Sequence, residues 1–277
     1  MNVFQNENEI KRLNSQEELL QKAQDEILNK YLSEKDDLVV LDVGSNDGFK
    51  TRRRFDKTNI KKVIGIEYSL ELVKTAKIKN EDSKFSFYCL NVEDDYFGID
   101  INRVMIKEGI KGFDIIHVSL VLLHLMNPAL FLKKLRNLLN DGGKLIIIEA
   151  DDNKARISGD KHYLKEYNKI LKIDPLMGKR DIGKHLPVWI NETGYKSYKY
   201  YYAENISLDK EIKKEMFNVY FLAVIDDFAF LCDRDKENKE YLKANKWLKE
   251  NLPKIRELIL EEGVSFGFGV GIFVVDK

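Results

Sequence analysis

The sequence predicts an α/β fold: a doubly wound, mostly parallel seven-stranded sheet with an N-terminal helix and a helical lid inserted before the last strand. Three observations carry this expectation. Short β-branched runs alternate with helical segments between residues 38 and 150, the pattern of a parallel sheet covered on both faces. A stretch of small residues, Gly44-Ser45-Asn46-Asp47-Gly48, follows the first run, where a strand must turn into a helix. Beyond residue 151 the rhythm becomes mainly helical, and one apolar run, 268–275, closes the chain.

At 277 residues the chain can form one large domain, or a core with an appended subdomain, and bury most of its apolar surface. Its 44% hydrophobic and 33% charged content is that of a globular protein, and a formal net charge of +0 removes the electrostatic footprint of a general nucleic-acid binder. Cys89 and Cys232 are too few for a disulfide framework and are read as reduced core thiols of a cytoplasmic protein. The polar opening, 6–16, does not look like a secretion signal. The most apolar later run, 216–232, is broken by Asp226-Asp227 and falls short of the ~20 residues of a spanning helix, so no membrane partner is expected.

Along the chain, Ser15-Gln16-Glu17-Glu18 has the form of a capping box, followed by apolar residues at helical spacing (Leu19, Leu20, Ala23, Ile27, Leu28). Strands are expected at 38–43, 63–66, 85–90, 114–119 and 144–148. The helix before the fifth strand is the best punctuated: Asn127 caps it, Pro128 takes its first position, Leu132, Leu135, Leu138 and Leu139 form its buried stripe, and Asp141-Gly142-Gly143 stops it. A strand at 195–202, with Tyr198, Tyr200, Tyr201 and Tyr202 alternating in burial, precedes two helical segments, 208–232 and 236–262. The expected division is a helical segment at 1–36, an α/β core at 37–206, a helical lid or substrate subdomain at 207–263 and the core's final strand at 264–277.

The turn after the first strand points to a ligand, because small residues let the backbone approach it and a helix N-terminus beyond presents free N–H groups. A dinucleotide turn needs Gly-x-Gly-x-x-Gly, but from Gly44 the third and sixth positions are Asn46 and Phe49. The spacing instead resembles the Gly-x-Gly-x-Gly loop of class I S-adenosylmethionine-dependent methyltransferases, with Asn46, which tolerates left-handed angles, at the middle glycine. Further segments extend the resemblance in order: Gly65-Ile66-Glu67-Tyr68-Ser69, Leu90-Asn91-Val92-Glu93, and Phe113 through His124-Leu125.

The resemblance implies a Rossmann-like methyltransferase core and S-adenosylmethionine as cofactor. It places Asp42, Gly44, Ser45, Asn46 and Gly48 around the methionine moiety, Glu67 and Tyr68 at the ribose, Asn91 and Val92 at the adenine, and Val118 and Ser119 at the amino group. Asn91 stands where Asp is usual in the family. The reaction implied is in-line methyl transfer to a small-molecule acceptor, with an RNA or protein methyltransferase and a non-catalytic cofactor-binding protein as alternatives. No Asn-Pro-Pro-Tyr or Pro-Cys motif is present, which disfavours the amine and cytosine C5 chemistries tied to them.

Several residues carry two readings. His124 is a candidate base or a support of its loop. Asp151-Asp152 could hold magnesium, but adjacent carboxylates point apart and no metal is expected. Lys50, Arg52, Arg53 and Arg54 read as a solvated helix face, with an RNA patch extended by Lys57, Lys61 and Lys62 as the alternative. Asp226 and Asp227 interrupt an apolar helix, where a buried carboxylate is costly, so either is a candidate anchor for a cationic acceptor; the plainer reading is a wet face or a local bond.

Overall fold

The alternation of β-branched and helical segments folds as expected between residues 38 and 150 in the computed structural model, which describes residues 7–160 and 162–277. In chain order the first elements are α1 (Glu7–Leu32), β1 (Leu38–Val43), α2 (Phe49–Phe55), β2 (Ile60–Glu67), α3 (Leu70–Asn80), β3 (Phe85–Cys89), α4 (Phe97–Lys107), β4 (Phe113–Ser119), α5 (Pro128–Leu138) and β5 (Leu139–Ala150). They are followed by β6 (Arg156–Ile157), α6 (Tyr163–Leu171), α7 (Leu186–Glu192), β7 (Ser197–Ser207), α8 (Lys210–Phe217), α9 (Ala223–Arg234), α10 (Lys239–Leu260) and β8 (Phe266–Asp276).

By contacts the chain divides into two units: the first comprises 1–24, 150–181 and 202–270, and the second 25–149, 182–201 and 271–277. In the second unit the strand order is β3-β2-β1-β4-β5-β8. The pairs β1/β2, β2/β3, β1/β4 and β4/β5 are all parallel. Such strands are buried on both faces, which is why they read as unbroken apolar runs. Their core packs Leu41, Ile64, Ile116 and Ile147 against Phe97 and Ile101 of α4, Leu132 and Leu135 of α5 and Ile190 of α7. Asn127 accepts the N–H of Leu130 at 3.1 Å and Pro128 opens α5, as its sequence requires.

The first unit contains α6 and the helices after β7. Asp209 caps α8 with bonds of 2.9 Å to the N–H groups of Glu211 and Ile212, and Asn238 caps α10. Lys213 of α8 is buried, and its ammonium donates to the carbonyls of Glu261 (3.1 Å) and Val264 (2.7 Å), so the charge is solvated by the chain that leaves α10. Tyr167, Tyr220, Phe221, Phe266 and Phe268 form an aromatic cluster with centroid separations of 4.7 to 5.9 Å.

The structure corrects the sequence reading at several points. An eighth strand, β6, pairs antiparallel with β8, a contact of two residues too short to leave a pattern. Ser15 lies inside α1, because the good helix formers before it carry the helix back to Glu7. Leu139 already belongs to β5, and Asp141-Gly142-Gly143 forms an irregularity within that strand instead of ending α5. The segment 208–232 is two helices joined by a π turn, Asn218–Leu222. Cys89 is exposed at the end of edge strand β3, and Cys232 is half-buried, so neither is a core thiol. The tyrosines of β7 do not alternate: Tyr198 and Tyr200 are exposed and Tyr201 and Tyr202 half-buried, as befits a strand off the main path of the sheet.

Leu132 is fully buried against the sheet of the second unit. Leu132→Ala should lower stability by about 2–5 kcal/mol, read as a shift in the midpoint of urea unfolding with an unchanged slope; an unmoved midpoint would contradict this packing.

Candidate functional site

The parallel sheet has a place where successive strands are laid down in opposite directions, between β1 and β4, and in open α/β sheets the crevice that takes a ligand lies outside the carboxyl ends of the strands at such a point. Asp42 stands beneath it, between Gly65 of β2 and His117 of β4. Its carboxylate is buried with both oxygens engaged: Oδ1 lies 2.7 Å from His117 Nδ1, and Oδ2 accepts the hydroxyl of Thr51 on α2. Asp42 therefore ties β1, β4 and α2 together below the loop and is a positioning residue.

The loop itself holds three left-handed residues, Gly44 (φ 76°), Asn46 (φ 52°) and Gly48 (φ 80°), which matches the side chains at these positions to the backbone that needs them. A Cβ on Gly44 would meet Val121 Cγ2 at 2.6 Å, and one on Gly48 would meet the Phe87 ring at 2.7 Å. The amides of the turn itself are all engaged. The amides of Gly44 and Ser45 donate to the Ile66 carbonyl, that of Asn46 to Glu67, that of Asp47 to Asn46 Oδ1, that of Gly48 to the Ser45 carbonyl and that of Phe49 to Asp47. The turn uses its own donors to hold its shape. What it leaves for a ligand is the Ser45 hydroxyl, buried with no hydrogen-bond partner.

Glu67 ends β2 beside this turn, 7% exposed. It accepts the N–H of Asn46 at 3.3 Å through Oε2 and that of Ser69 at 3.0 Å through Oε1. A carboxylate has about four acceptor positions, so room remains for a hydroxyl donor beside the backbone N–H groups. Burial raises its pKa above the ordinary glutamate value, against the pull of the Ser69, Asn46 and Tyr68 N–H groups, and the nearby Asp42 charge adds to the rise. Tyr68, the next residue, is exposed.

The ends of β3 and β4 complete the crevice. Asn91 is exposed, and its Oδ1 accepts the N–H of Glu93 at 3.1 Å, while Val92 is half-buried. Glu93 in turn accepts the N–H of Met126 at 2.6 Å and so joins the two loops. Val118 is fully buried within β4, which leaves only its backbone for a ligand, and Ser119 is half-buried at the strand end. Leu120 has φ 54°, a left-handed angle costly for a bulky residue, held by its N–H bond to the Ile148 carbonyl at 2.8 Å. Glu149 accepts the Leu122 N–H at 2.8 Å and supports the short turn Leu122–His124, on which His124 is exposed. Thr51, Glu93, Leu120 and Glu149 were not legible as site residues, because their roles rest on contacts across the fold.

Other candidates fall elsewhere. Arg54 is buried, and Arg52 pairs with Asp82 at 2.8 Å and lies over the Phe85 ring, so the basic run is not a continuous solvated face: the short α2 turns part of it inward. In the first unit, Asp152 is bound through both oxygens to Arg180, with Nη2 to Oδ1 at 2.7 Å. Asp226 is exposed and Asp227 buried on α9, also in the first unit.

Residues 34–205, more than half of the chain, match the sequence profile of the methyltransferase domain family. The chain belongs to this family. This methyltransferase has the class I, Rossmann-like fold of its structural neighbours. A Bacillus halodurans protein described as a methyltransferase superposes with a TM-score of 0.54 at 17% identity, covering 91% of this chain and 98% of its own. A cyclopropane synthase of Mycobacterium tuberculosis gives 0.53 at 14% identity, covering 93% and 84%. A phosphoethanolamine N-methyltransferase of Haemonchus contortus, in complex with S-adenosyl-L-methionine, gives 0.54 at 14% identity, covering 99% and 58%. No curated protein matches. Among the described residues no helix is long and apolar enough to cross a membrane.

The glycines separate strain from crowding. Gly142 shares the left-handed angle (φ 75°) but has open space around it. Gly142→Ala should cost about 1–2 kcal/mol, the left-handed penalty alone, whereas Gly48→Ala should cost more because its methyl would enter the Phe87 ring. Thermal melts of the two variants check the order, and an equal loss would show that the loop yields without resistance.

Proposed function

We propose that this methyltransferase takes its methyl group from S-adenosylmethionine and passes it to a small-molecule acceptor by in-line displacement. The observation that carries the reading is Glu67: a buried carboxylate at the end of β2, bonded to the N–H of Asn46 in the left-handed turn yet keeping acceptor positions. The residues fit the cofactor. Gly44 and Gly48 allow a close approach that a Cβ would block, and the buried Ser45 hydroxyl has no protein partner. The Haemonchus neighbour, whose structure holds S-adenosylmethionine, supports the cofactor, and its name supports a small acceptor.

When bound, S-adenosylmethionine supplies a methyl carbon already activated by its sulfonium, which leaves as a neutral thioether. The protein's own work is to bind, orient and exclude water. The turn 44–48, with Ser45, seats the methionine end. Glu67 receives the ribose hydroxyls, with Tyr68 beside it. Asn91 and Val92 meet the adenine, where the Asn91 oxygen keeps a lone pair beyond its bond to Glu93. Val118 and Ser119 offer oxygens to the amino group. His124 is the candidate base for an acceptor that must lose a proton.

S-adenosylmethionine should bind and NAD should not; calorimetry showing a preference for NAD would reverse the proposal. Glu67→Ala should weaken cofactor binding by about 1.5–3 kcal/mol, or about ten- to a hundredfold, in a folded protein.

The pH dependence has a definite sign. Because the folded-state pKa of Glu67 is raised, its ionised form costs folding stability at neutral pH, and that cost disappears as pH falls through the folded value. Ribose hydroxyls donate to the ionised form, so cofactor affinity should fall as pH drops through the raised Glu67 pKa. Glu67→Gln should flatten that limb of a binding profile, and a profile identical to wild type would remove Glu67 from the ribose site.

A further inference from the structure

The amino ends of the parallel strands, opposite the crevice, carry a cleft of about 410 Å³. It is lined from all five of those strands or the residues just before them: Val39 of β1, Lys61 and Lys62 of β2, Ser83 ahead of β3, Gly112 ahead of β4 and Asn140 of β5. The end of α4 and its exit, 108–112, form the rest of the wall. All of these residues belong to the second unit. A concave space of this size suits a small molecule. The length of β1, six residues or about 20 Å, separates it from the turn at 44–48.

The walls are fixed by bonds that do not involve a ligand. Lys62 Nζ donates to the Glu108 carboxylate at 2.7 Å, the Ser86 hydroxyl at 2.9 Å and the Ser83 carbonyl at 3.2 Å, so its three N–H groups are committed. Glu108 also accepts the Tyr88 hydroxyl. Burial pushes the Glu108 pKa up, but Lys62, Tyr88 and Ser86 outweigh burial and hold the carboxyl below the ordinary glutamate value. Asp114, behind Val39 and Asn140, accepts the Val39 N–H at 3.0 Å, the Asn140 amide at 3.2 Å and the Lys35 ammonium at 2.8 Å. Gly109 (φ 66°) closes α4 with a Schellman cap, in which its own N–H bonds the Ile106 carbonyl at 3.2 Å and that of Ile110 the Met105 carbonyl at 3.0 Å. The carbonyls at the negative end of this helix are thereby occupied. A Cβ on Gly112 would strike Asn140 Oδ1, so the exit of α4 lies directly against β5.

The charge left over in this rigid cleft is positive. Its lining holds three lysines and one glutamate, and Lys62 and Glu108 offset each other. Lys61 and Lys111 remain, both exposed, and among the described residues neither has a carboxylate partner. Val39 and Ile110 add half-buried apolar surface. We propose that the cleft binds the phosphate monoester of a small organic molecule, with Lys61 and Lys111 as counter-ions and the organic part against Val39 and Ile110. Such a group carries a charge of about −1.5 to −2 at neutral pH, the complement of two uncommitted ammonium groups, and its oxygens accept N–H and hydroxyl donors, that of Ser83 included. A carboxylate would match only one of the two. The chain's formal net charge of +0 disfavours a nucleic acid as the source of the phosphate. The proposal uses none of the residues given to the cofactor and does not depend on the methyl-transfer reading.

The test is titration calorimetry of the full chain, without cofactor, using phenyl phosphate, inorganic phosphate and phenol as probes. Phenyl phosphate should bind saturably and at least about fivefold more tightly than the other two, which lack the ring or the charge. Lys61→Gln and Lys111→Gln should each weaken it about threefold or more, and the double variant about tenfold or more. Lys254→Gln, on exposed α10 surface in the first unit, should leave it unchanged. The three lysines are exposed, so the variants should fold, and thermal melts check this. Absence of saturable phenyl phosphate binding, no preference over inorganic phosphate or phenol, wild-type affinity in Lys61→Gln or Lys111→Gln, or an equal loss in Lys254→Gln would each overturn the proposal.

Discussion

Asp42 is a carboxylate 4% exposed in the middle of a parallel sheet, and the crevice above it depends on how that charge is held. Removing an ion from water costs several kcal/mol unless partners compensate. Here His117 takes one oxygen and Thr51 the other, one from β4 and one from α2. The T-shaped contact of Phe55 with the His117 ring, at 5.5 Å, packs the same helix against the same strand. The two strands whose ends open the crevice and the helix that follows the turn are therefore fixed by one buried charge. Removal of either partner would leave part of that charge uncompensated and the turn unsupported.

With its base fixed, the turn can spend its amides on itself. Every N–H from Gly44 to Phe49 has an acceptor within the protein, and one of them, that of Asn46, ends on Glu67. The buried carboxylate is thus a strut of the turn. Burial raises the Glu67 pKa, and the backbone N–H groups of the loop it serves offset that rise only in part.

The legible parts of the sequence were those where one local rule decides the outcome. Asn127-Pro128 could be read as a helix start because cap and proline act within four residues of one another. Glycines at 44 and 48 could be read as a turn because their backbone angles exclude most side chains. The parallel strands stood out because burial on both faces leaves no polar alternation. Ser15 misled for the same local reason: a capping box counts only when the preceding residues are not helical. Asp42 was legible as a member of a motif, yet its partners His117 and Thr51 were not, since nothing in the spacing says which strand will lie beside β1. Leu120 gave no signal at all. Its left-handed angle is imposed by the bond to Ile148 from the neighbouring strand and not by its own preference.

The same distinction separates the family motifs from the rest of the chain. A cofactor common to a family is met by a contiguous set of strand ends, so its residues recur as short motifs in chain order. The ion pair of Asp152 with Arg180 in the first unit is the opposite case: the two residues lie 28 apart and meet through two hydrogen bonds, a contact that no local pattern announces.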